Sequence, residues 1–204
     1  MILENYKTGT TTVGIIAKDS IILAADMKGT MGNLASNTDL TKIYKINNHI
    51  AMTIAGGVGD ALVLVRHLKV QANLYELEHK RSMSTKACGT LLSNILNSNK
   101  MMPFLTQFIL AGISENTPSM YSMDLAGGII EEKKYTASGS GTELALSTMD
   151  ANYKENLTTQ EAIKVAVYAI NAAKKRDIFS GGDGVKVVVI KKEGIEELPV
   201  VKYD

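Results

Sequence analysis

The sequence predicts an α+β fold in which helices cover antiparallel β-sheets. Short apolar or alternating runs, typical of strands, occur in blocks, and longer amphipathic runs, typical of helices, occur in pairs between those blocks. Turn signals such as Lys18-Asp19 and Asn47-Asn48 join neighbouring strands over the short distance of a hairpin. The order of strands, two helices, strands, two helices, strands indicates segregated layers, because a parallel sheet would alternate single strands with helices.

Each element has a local signal of its own. Strands are predicted from apolar or alternating runs at 10–16, 20–25, 42–46, 49–54, 107–113, 119–124, 129–130, 185–190 and, as an edge strand or extension, 195–204. A polar stretch at 28–39, with Gly29 and Gly32, is expected to be looser. Helices are predicted from the helical spacing of apolar residues at 61–79, 84–99, 142–152 and 162–175, and a capping box of Thr158 and Glu161 opens the last one.

Composition limits the class of protein. The 204 residues, 45% of them apolar, suit one compact domain, and the chain shows no linker, internal repeat or low-complexity segment. A net charge of +1 creates no strong field for nucleic acid, and no apolar run reaches the roughly 18 residues of a membrane span. The single cysteine, Cys88, excludes an internal disulfide and is consistent with a reducing compartment. We therefore expect a cytoplasmic protein with no nucleic-acid or membrane partner.

The motifs of the common metal, nucleotide and serine sites are absent from the sequence. His49, His67 and His79 are the only histidines, and their spacing forms no metal pair, so we expect no metal. Neither a Gly-x-Ser-x-Gly elbow nor a Gly-x-x-x-x-Gly-Lys-Ser/Thr phosphate loop occurs. The glycine clusters lack the strand–helix–strand context of a dinucleotide site, so we expect no cofactor.

A threonine near the start of the chain offers a different kind of nucleophile. In the run Gly9-Thr10-Thr11-Thr12-Val13-Gly14, a cut after Gly9 would free the amine of Thr10. Thr10 would then carry a hydroxyl nucleophile and an amine base on one residue. Residues 1–9 lack the long apolar core of a secretory signal and are interpreted as a short leader. By itself, a run of threonines is more typical of a strand.

Further polar residues stand at predicted strand ends and in turns. Asp26 ends one strand, Lys42 begins another, and Ser140, Asp177 and Ser180 lie in or beside glycine-containing turns. Each residue alone is explained by strand-end solvation or by turn formation. Together with the threonine run they resemble the proteasome β subunits, most closely the archaeal type, within the N-terminal nucleophile hydrolases. The resemblance runs nearly end to end, through six motifs in order at 9–15, 24–26, 41–44, 54–60, 140–153 and 176–182.

The resemblance implies a four-layer αββα sandwich of two antiparallel sheets between helix pairs. It also implies a threonine endopeptidase of the 20S proteasome core, made as a zymogen. Autocatalytic cleavage would remove a propeptide, residues 1–9, and leave the catalytic domain, residues 10–204. The implied partners are proteasome α subunits and other β subunits in stacked heptameric rings, a regulatory ATPase, and unfolded proteins as substrates.

The resemblance also assigns roles to residues of this sequence. Thr10 is the nucleophile, and Lys42, held by Asp26, lies close to its hydroxyl. Either Lys42 or the freed amine could accept the hydroxyl proton, and the sequence leaves both open. The backbone N–H of Gly56 is the expected oxyanion donor, because glycine lets the chain approach a substrate closely. The residues that support the amine are Ser140, Asp177 and Ser180.

By the same resemblance, a substrate pocket is bordered by Gly29, Leu40, Ile54 and Val58, and the backbone of Thr30 pairs with an extended peptide. This apolar and uncharged border predicts cleavage after hydrophobic residues. For Leu40 and Ile54, a place in the hydrophobic core is the alternative interpretation.

The sequence departs from the family pattern in places, and rival functions remain. Lys28-Gly29 stands where many members have arginine and alanine, and Ser138 replaces Ser140 if the register differs. The rivals are a non-catalytic structural subunit of the same β ring, a bacterial two-ring peptidase and a small-molecule amidohydrolase. The nucleophile, aspartate and lysine positions are all occupied, which disfavours the first rival. The nine-residue leader and the closing motif at 176–182 favour the archaeal type over the second.

Overall fold

The computed structural model describes residues 9–202, which form twelve strands and four helices. The strands are β1 (Thr11–Ile16), β2 (Ile21–Asp26), β3 (Gly29–Met31), β4 (Leu34–Asn37), β5 (Ile43–Lys45), β6 (Ile50–Gly56), β7 (Thr106–Ser114), β8 (Thr117–Met123), β9 (Ile129–Glu132), β10 (Tyr135–Gly139), β11 (Val185–Lys191) and β12 (Gly194–Glu197). The helices are α1 (Val58–His79), α2 (Thr85–Ser98), α3 (Thr142–Asn152) and α4 (Thr159–Lys174).

The strands build two five-stranded antiparallel sheets and a separate hairpin. In the first sheet β1 lies between β10 and β2, and β11 and β12 follow beyond β2. Val13 of β1 therefore pairs with Ala137 on one side and with Ala24 on the other. The second sheet has the order β5-β6-β7-β8-β9, and β3 pairs with β4 alone. This antiparallel arrangement, with helices grouped in pairs along the chain, confirms the α+β prediction.

The two sheets pack face to face, and each carries two helices on its outer side. Leu23 and Val188 of the first sheet meet Ile109 and Met120 of the second in the core between the sheets. Helices α1 and α2 cover the second sheet, and α3 and α4 cover the first. The helical residues in these two outer contacts are Leu64, Leu68, Leu92 and Leu96 in the first pair, and Ala145, Ala166 and Ile170 in the second. The expected four-layer αββα sandwich is confirmed.

Helix ends follow local capping chemistry. The predicted capping box is present, since Thr158 accepts from the backbone of Glu161 and the Glu161 carboxylate accepts from the backbone of Thr158. Helix α1 begins at Val58, three residues before its predicted start, because the Gly57 carbonyl already accepts from the N–H of Ala61 at 3.0 Å. Among the helices within residues 9–202, none has both the length and the apolar character needed to cross a bilayer.

Two strand regions were not predicted from the sequence. The polar stretch at 28–39 contains the hairpin of β3 and β4, whose second strand is exposed along its whole length and so lacks an apolar pattern. Strand β10 is also short, and its pairing with β1 joins segments far apart in the chain. The predicted edge strand at 195–204 is present as the shorter β12, and residues 203–204 lie outside the described part of the chain.

Candidate active site

Thr10 lies immediately before β1, buried at 4% exposure and still joined to Gly9 by a peptide bond. Its backbone N–H donates to the Ser140 hydroxyl oxygen at 3.2 Å. The Ser140 hydroxyl has one proton to give, and the Asp177 carboxylate at 2.5 Å is a closer acceptor than the Thr10 carbonyl at 3.3 Å. Ser140 therefore accepts from the Thr10 nitrogen and donates to Asp177, which fixes where that nitrogen lies.

Asp26, the last residue of β2, is the buried anion of the site. Its Oδ1 accepts from the Lys42 ammonium at 2.7 Å and from the N–H of Thr11 at 3.0 Å. Its Oδ2 accepts from the N–H of Gly181 at 2.8 Å and from the N–H of Lys28 at 3.2 Å. Four donors compensate for the burial of this carboxylate, and they tie three separate chain segments to the end of β2.

Lys42 lies just before β5 and has almost no contact with solvent. It forms a buried ion pair with Oδ1 of Asp26. The N–H of Thr11, the residue after Thr10, donates to the same oxygen, so the Lys42 ammonium lies next to the backbone of Thr11. Burial lowers the pKa of the Lys42 ammonium, and the charge and hydrogen bond of Asp26 only partly offset that effect. The charge of Lys28 lowers this pKa further. Lys42 therefore gives up a proton more readily than a lysine in water.

A second carboxylate organises hydroxyl groups on the other side of the threonine segment. Asp177 Oδ2 accepts from Ser140 at 2.5 Å and from Ser180 at 2.6 Å, and its Oδ1 accepts from the N–H of Phe179 at 3.1 Å. Ser180 has thus committed its proton, so the Thr11 hydroxyl, 2.6 Å away, donates to the Ser180 oxygen. The result is a continuous hydrogen-bonded chain from the Thr10 nitrogen through Ser140, Asp177 and Ser180 to Thr11.

The end of β6 presents a backbone N–H towards the same region. The Gly57 N–H donates to the Leu105 carbonyl at 2.7 Å, across the ladder towards β7. Because N–H groups two residues apart along a strand point to the same edge, the Gly56 N–H lies on the edge of the Ile54 N–H, opposite β7. On that edge the N–H of Ile54 donates to the carbonyl of Lys42 at 2.9 Å. The Gly56 N–H is therefore directed away from β7, on the side of Lys42.

A cavity of about 490 Å³ opens beside Thr10. Of the residues predicted to contact substrate, Gly29, Thr30, Leu40 and Val58 line it, and so does Gly56. Ile54 does not line the cavity. Side chains alternate along β6, so Ile54 shares the face of Ile50 and Met52 and packs in the core beneath α1 and α2. Ile54 is thus a core residue in this structure, while Leu40 borders the cavity.

The structure also brings in residues that the sequence analysis did not assign. Thr11 and Gly181 contribute backbone N–H groups to Asp26, and the Lys28 ammonium donates to the Ile178 carbonyl at 2.6 Å. Backbone donors carry no sequence signal. Lys28 did have a sequence signal, because it follows Asp26, the end of the aspartate motif, by two residues. Other unassigned residues line the cavity from the hairpin of β3 and β4 and its turn: Met31, Gly32, Ser36 and Asn37.

The two serines of the run at 138–141 have different partners. Ser140 contacts Thr10, as described above, whereas Ser138 bonds the Thr12 hydroxyl at 2.7 Å. Thr12 in turn lies 2.9 Å from the Thr53 hydroxyl, in a buried cluster that joins the two sheets behind the site. In this geometry Ser140, and not Ser138, lies against Thr10.

Gly9 occupies a space that admits no side chain. A Cβ atom at this position would lie 1.7 Å from the Cβ of Phe179 and 2.7 Å from the Ser140 hydroxyl oxygen. Gly9 itself lines the cavity beside Thr10. The rest of the predicted leader, residues 1–8, lies outside the described residues.

Comparisons with known proteins match this chain over almost its whole length. The family model described as "Proteasome subunit" matches residues 6–190. The chain is 50% identical to "Proteasome subunit beta 2" of Pyrococcus abyssi over 195 residues, which cover 96% of this chain and 92% of that protein. It is 47% identical to "Proteasome subunit beta 1" of Thermococcus sibiricus over 190 residues, 93% of this chain and 90% of that protein. It is also 47% identical to "Proteasome subunit beta" of Methanocaldococcus vulcanius over 191 residues, 93% of this chain and 85% of that protein.

Proposed function

This chain belongs to the proteasome subunit family, and from that membership we propose that it is a threonine-type endopeptidase subunit of a 20S proteasome core, with Thr10 as its nucleophile. One observation carries the proposal. Oδ1 of Asp26 binds both the Lys42 ammonium and the N–H of Thr11, which holds a buried lysine of lowered pKa against the threonine segment. A structural role alone needs neither the buried charge nor the hydroxyl chain around the Thr10 nitrogen.

The uncut chain is inactive in this proposal. The Thr10 nitrogen is part of the amide with Gly9 and donates its proton to Ser140, so it is not basic. Hydrolysis of the bond between Gly9 and Thr10 turns this nitrogen into an amine in the same position. Ser140 and Asp177 are then placed to orient the amine, because they already hold the nitrogen in the uncut chain.

Peptide cleavage follows the chemistry of a base-activated hydroxyl. The Thr10 hydroxyl loses its proton to Lys42 or to the freed amine and attacks the peptide carbonyl. Asp26 holds Lys42 in position, and the Gly56 N–H is the donor proposed to stabilise the oxyanion. The leaving amine takes a proton, an ester forms on Thr10, and water hydrolyses that ester to regenerate the site.

The cavity supports an extended peptide as the substrate. Its border includes Thr30 in β3, a strand of the short hairpin, which supports pairing with the peptide backbone. Gly29, Leu40, Val58 and Met31 give the cavity a mainly apolar border, to which Lys28 adds a charged side chain, and we propose cleavage after hydrophobic residues. Ser36 and Asn37 add a polar part of the border that the sequence analysis did not include.

The proposed setting is a particle and not a free chain. The three relatives described above are named as proteasome β subunits, which supports assembly of this chain into the proteasome particle. We propose stacked heptameric rings with α subunits and other β subunits, a regulatory ATPase that delivers unfolded proteins, and a cytoplasmic location. In this setting residues 1–9 are the propeptide and residues 10–204 the catalytic domain.

The test uses the full chain assembled with an α-type partner. The expected result is an intact mass that lacks residues 1–9, together with hydrolysis of fluorogenic peptides. Thr10→Ala should assemble, keep the leader and hydrolyse nothing, whereas the control Thr8→Ala, on the other side of the predicted cut, should behave as wild type. Peptide hydrolysis by uncut chains, or by the Thr10→Ala particle, would contradict the proposal. A particle that assembles but has no hydrolytic activity would instead identify a structural β-ring subunit.

A further inference from the structure

The turn from β6 into α1 makes two demands on Gly57. Its carbonyl accepts from the N–H of Ala61 at 3.0 Å, the first hydrogen bond of α1, and its N–H donates to the Leu105 carbonyl at 2.7 Å. In a regular antiparallel ladder, the Leu105 N–H would return a bond to the Gly57 carbonyl. Because the helix already uses that carbonyl, the Leu105 N–H needs another acceptor.

Asp60 supplies this acceptor. Its Oδ2 accepts from the Leu105 N–H at 2.9 Å. Asp60 lies in the first turn of α1, where a carboxylate is also favoured by the helix dipole, and it is half-buried. We propose that Asp60 is a positioning residue for peptide cleavage, because its carboxylate holds the turn that presents the Gly56 N–H. This inference rests on the proposed function, in which that N–H stabilises the oxyanion.

Leu105 contacts the turn at two successive residues. Its carbonyl oxygen accepts from Gly57, and the same oxygen would lie only 2.3 Å from a Cβ atom on Gly56. Gly56 has a φ of 108°, a conformation that residues with a side chain rarely adopt. The turn therefore follows the position of the Leu105 peptide group closely. When Leu105 shifts, the Gly56 N–H shifts with it.

Asp60 acts at a distance from the substrate, and this determines which kinetic constant it affects. It is not among the residues that line the cavity, whereas Gly56 and Gly57 are. An oxyanion donor contributes most when negative charge develops on the substrate oxygen, after binding. Loss of Asp60 should therefore lower kcat and leave KM almost unchanged.

The experiment compares Asp60→Ala with Asp60→Asn in the assembled particle made from the full chain. Asp60→Ala leaves the Leu105 N–H without its acceptor and is expected to lower kcat by about 10-fold to 100-fold. Asp60→Asn keeps a side-chain oxygen acceptor and should retain near wild-type kcat. A peptide aldehyde forms a tetrahedral adduct whose oxygen would lie at the Gly56 N–H. Its affinity for Asp60→Ala should fall by a factor similar to the fall in kcat.

Asp124→Ala is the matched control, because Oδ1 of Asp124 also caps backbone N–H groups in a turn, those of Ala126 and Gly128 at 2.8 Å. Its kcat should stay at the wild-type level. Asp60→Ser, with a shorter side chain, should lose kcat in the same way and decides the question if the alanine variant does not assemble. Wild-type kcat and aldehyde affinity in the variant that assembles, or an equal kcat loss in Asp124→Ala, would overturn the role of Asp60.

Thr10→Ala is measured in parallel. Activity that persists in Thr10→Ala rejects the proposed function itself. Loss of activity in Thr10→Ala beside a fully active Asp60→Ala rejects only the positioning role of Asp60.

Discussion

The Lys42 ammonium lies 2.7 Å from Oδ1 of Asp26, and the two side chains are only 2% and 0% exposed. A buried ion pair of this kind is costly to form, and hydrophobic residues often replace one without loss of stability. Here the pair lies against a threonine segment, and Asp26 also accepts from the backbone N–H groups of Thr11, Gly181 and Lys28. Under the proposed function, the same burial prepares Lys42 to accept a proton from Thr10, because it lowers the pKa of the ammonium.

Lys42→Arg tests this proton transfer while the positive charge is kept. Arginine does not give up its proton in proteins, so peptide hydrolysis should fall by at least about 100-fold. The measurement is kcat of the assembled particle on a fluorogenic peptide. Lys45→Arg, an exposed position in β5, is the matched control and should have no effect. A Lys42→Arg particle with more than a tenth of wild-type activity would show that Lys42 does not transfer the proton.

The pH dependence of kcat/KM should reflect the charges around Lys42. Burial lowers the pKa of the Lys42 ammonium and Lys28 lowers it further, whereas Asp26 and Asp177 raise it. If neutral Lys42 accepts the proton, activity rises as the pH rises through this pKa. Lys28→Gln removes one lowering effect, so the rising limb should move to higher pH. Lys45→Gln should leave the profile unchanged, and a limb that stays in place or moves to lower pH in Lys28→Gln would refute this assignment.

Gly9→Ala should block leader removal by a steric effect. The added Cβ atom would meet the Cβ of Phe179 at 1.7 Å and displace the bond that must be cut, which should slow cleavage at least about tenfold. Intact mass measured over time after assembly gives the rate. Gly59→Ala is the control, because a Cβ there meets no atom within 4 Å. Adding Phe179→Ala to Gly9→Ala should restore part of the rate, and unchanged cleavage in Gly9→Ala alone would contradict the packing argument.

Ser140→Ala and Ser138→Ala separate catalysis from stability. Ser140→Ala breaks the link between the Thr10 nitrogen and Asp177 and should lower kcat/KM by about tenfold or more. Ser138→Ala removes the bond to the Thr12 hydroxyl and should reduce the free energy of unfolding by about 1 kcal/mol, with activity near wild type. Peptide hydrolysis and thermal unfolding of both variants are the measurements. The reverse pattern would move the catalytic role to Ser138.

The fold was predictable wherever a local signal agreed with the tertiary structure. The capping box of Thr158 and Glu161 and the apolar spacing after it placed α4 to within a few residues. The exposed strand β4 gave no such signal, because none of its residues faces a core. The start of α1 was predicted too late, since backbone contacts of Gly57, and not apolar spacing, determine it.

The candidate site was predictable through its side chains and less so through its backbone. Thr10, Asp26, Lys42, Ser140, Asp177 and Ser180 were all singled out, and the structure joins them in one hydrogen-bonded network through Thr11. Gly181 was missed, because it contributes an N–H group that any residue except proline has, whereas Thr11 contributes both an N–H group and a hydroxyl. Ile54 was assigned to the pocket, although the period of two that begins at Ile50 already places its side chain on the helix-covered face.

The packing of Gly9 against Phe179 connects cleavage of the leader with access to the cavity. Gly9 borders the same space that would receive a peptide, so an immature protomer keeps its own backbone at the mouth of its substrate site. In the proposed cleavage, one cut would have two effects: it would convert the Thr10 amide into an amine, and it would remove Gly9 from the border of the cavity. The number of working centres in an assembly would therefore equal the number of protomers that have shed this segment, with no half-active intermediate.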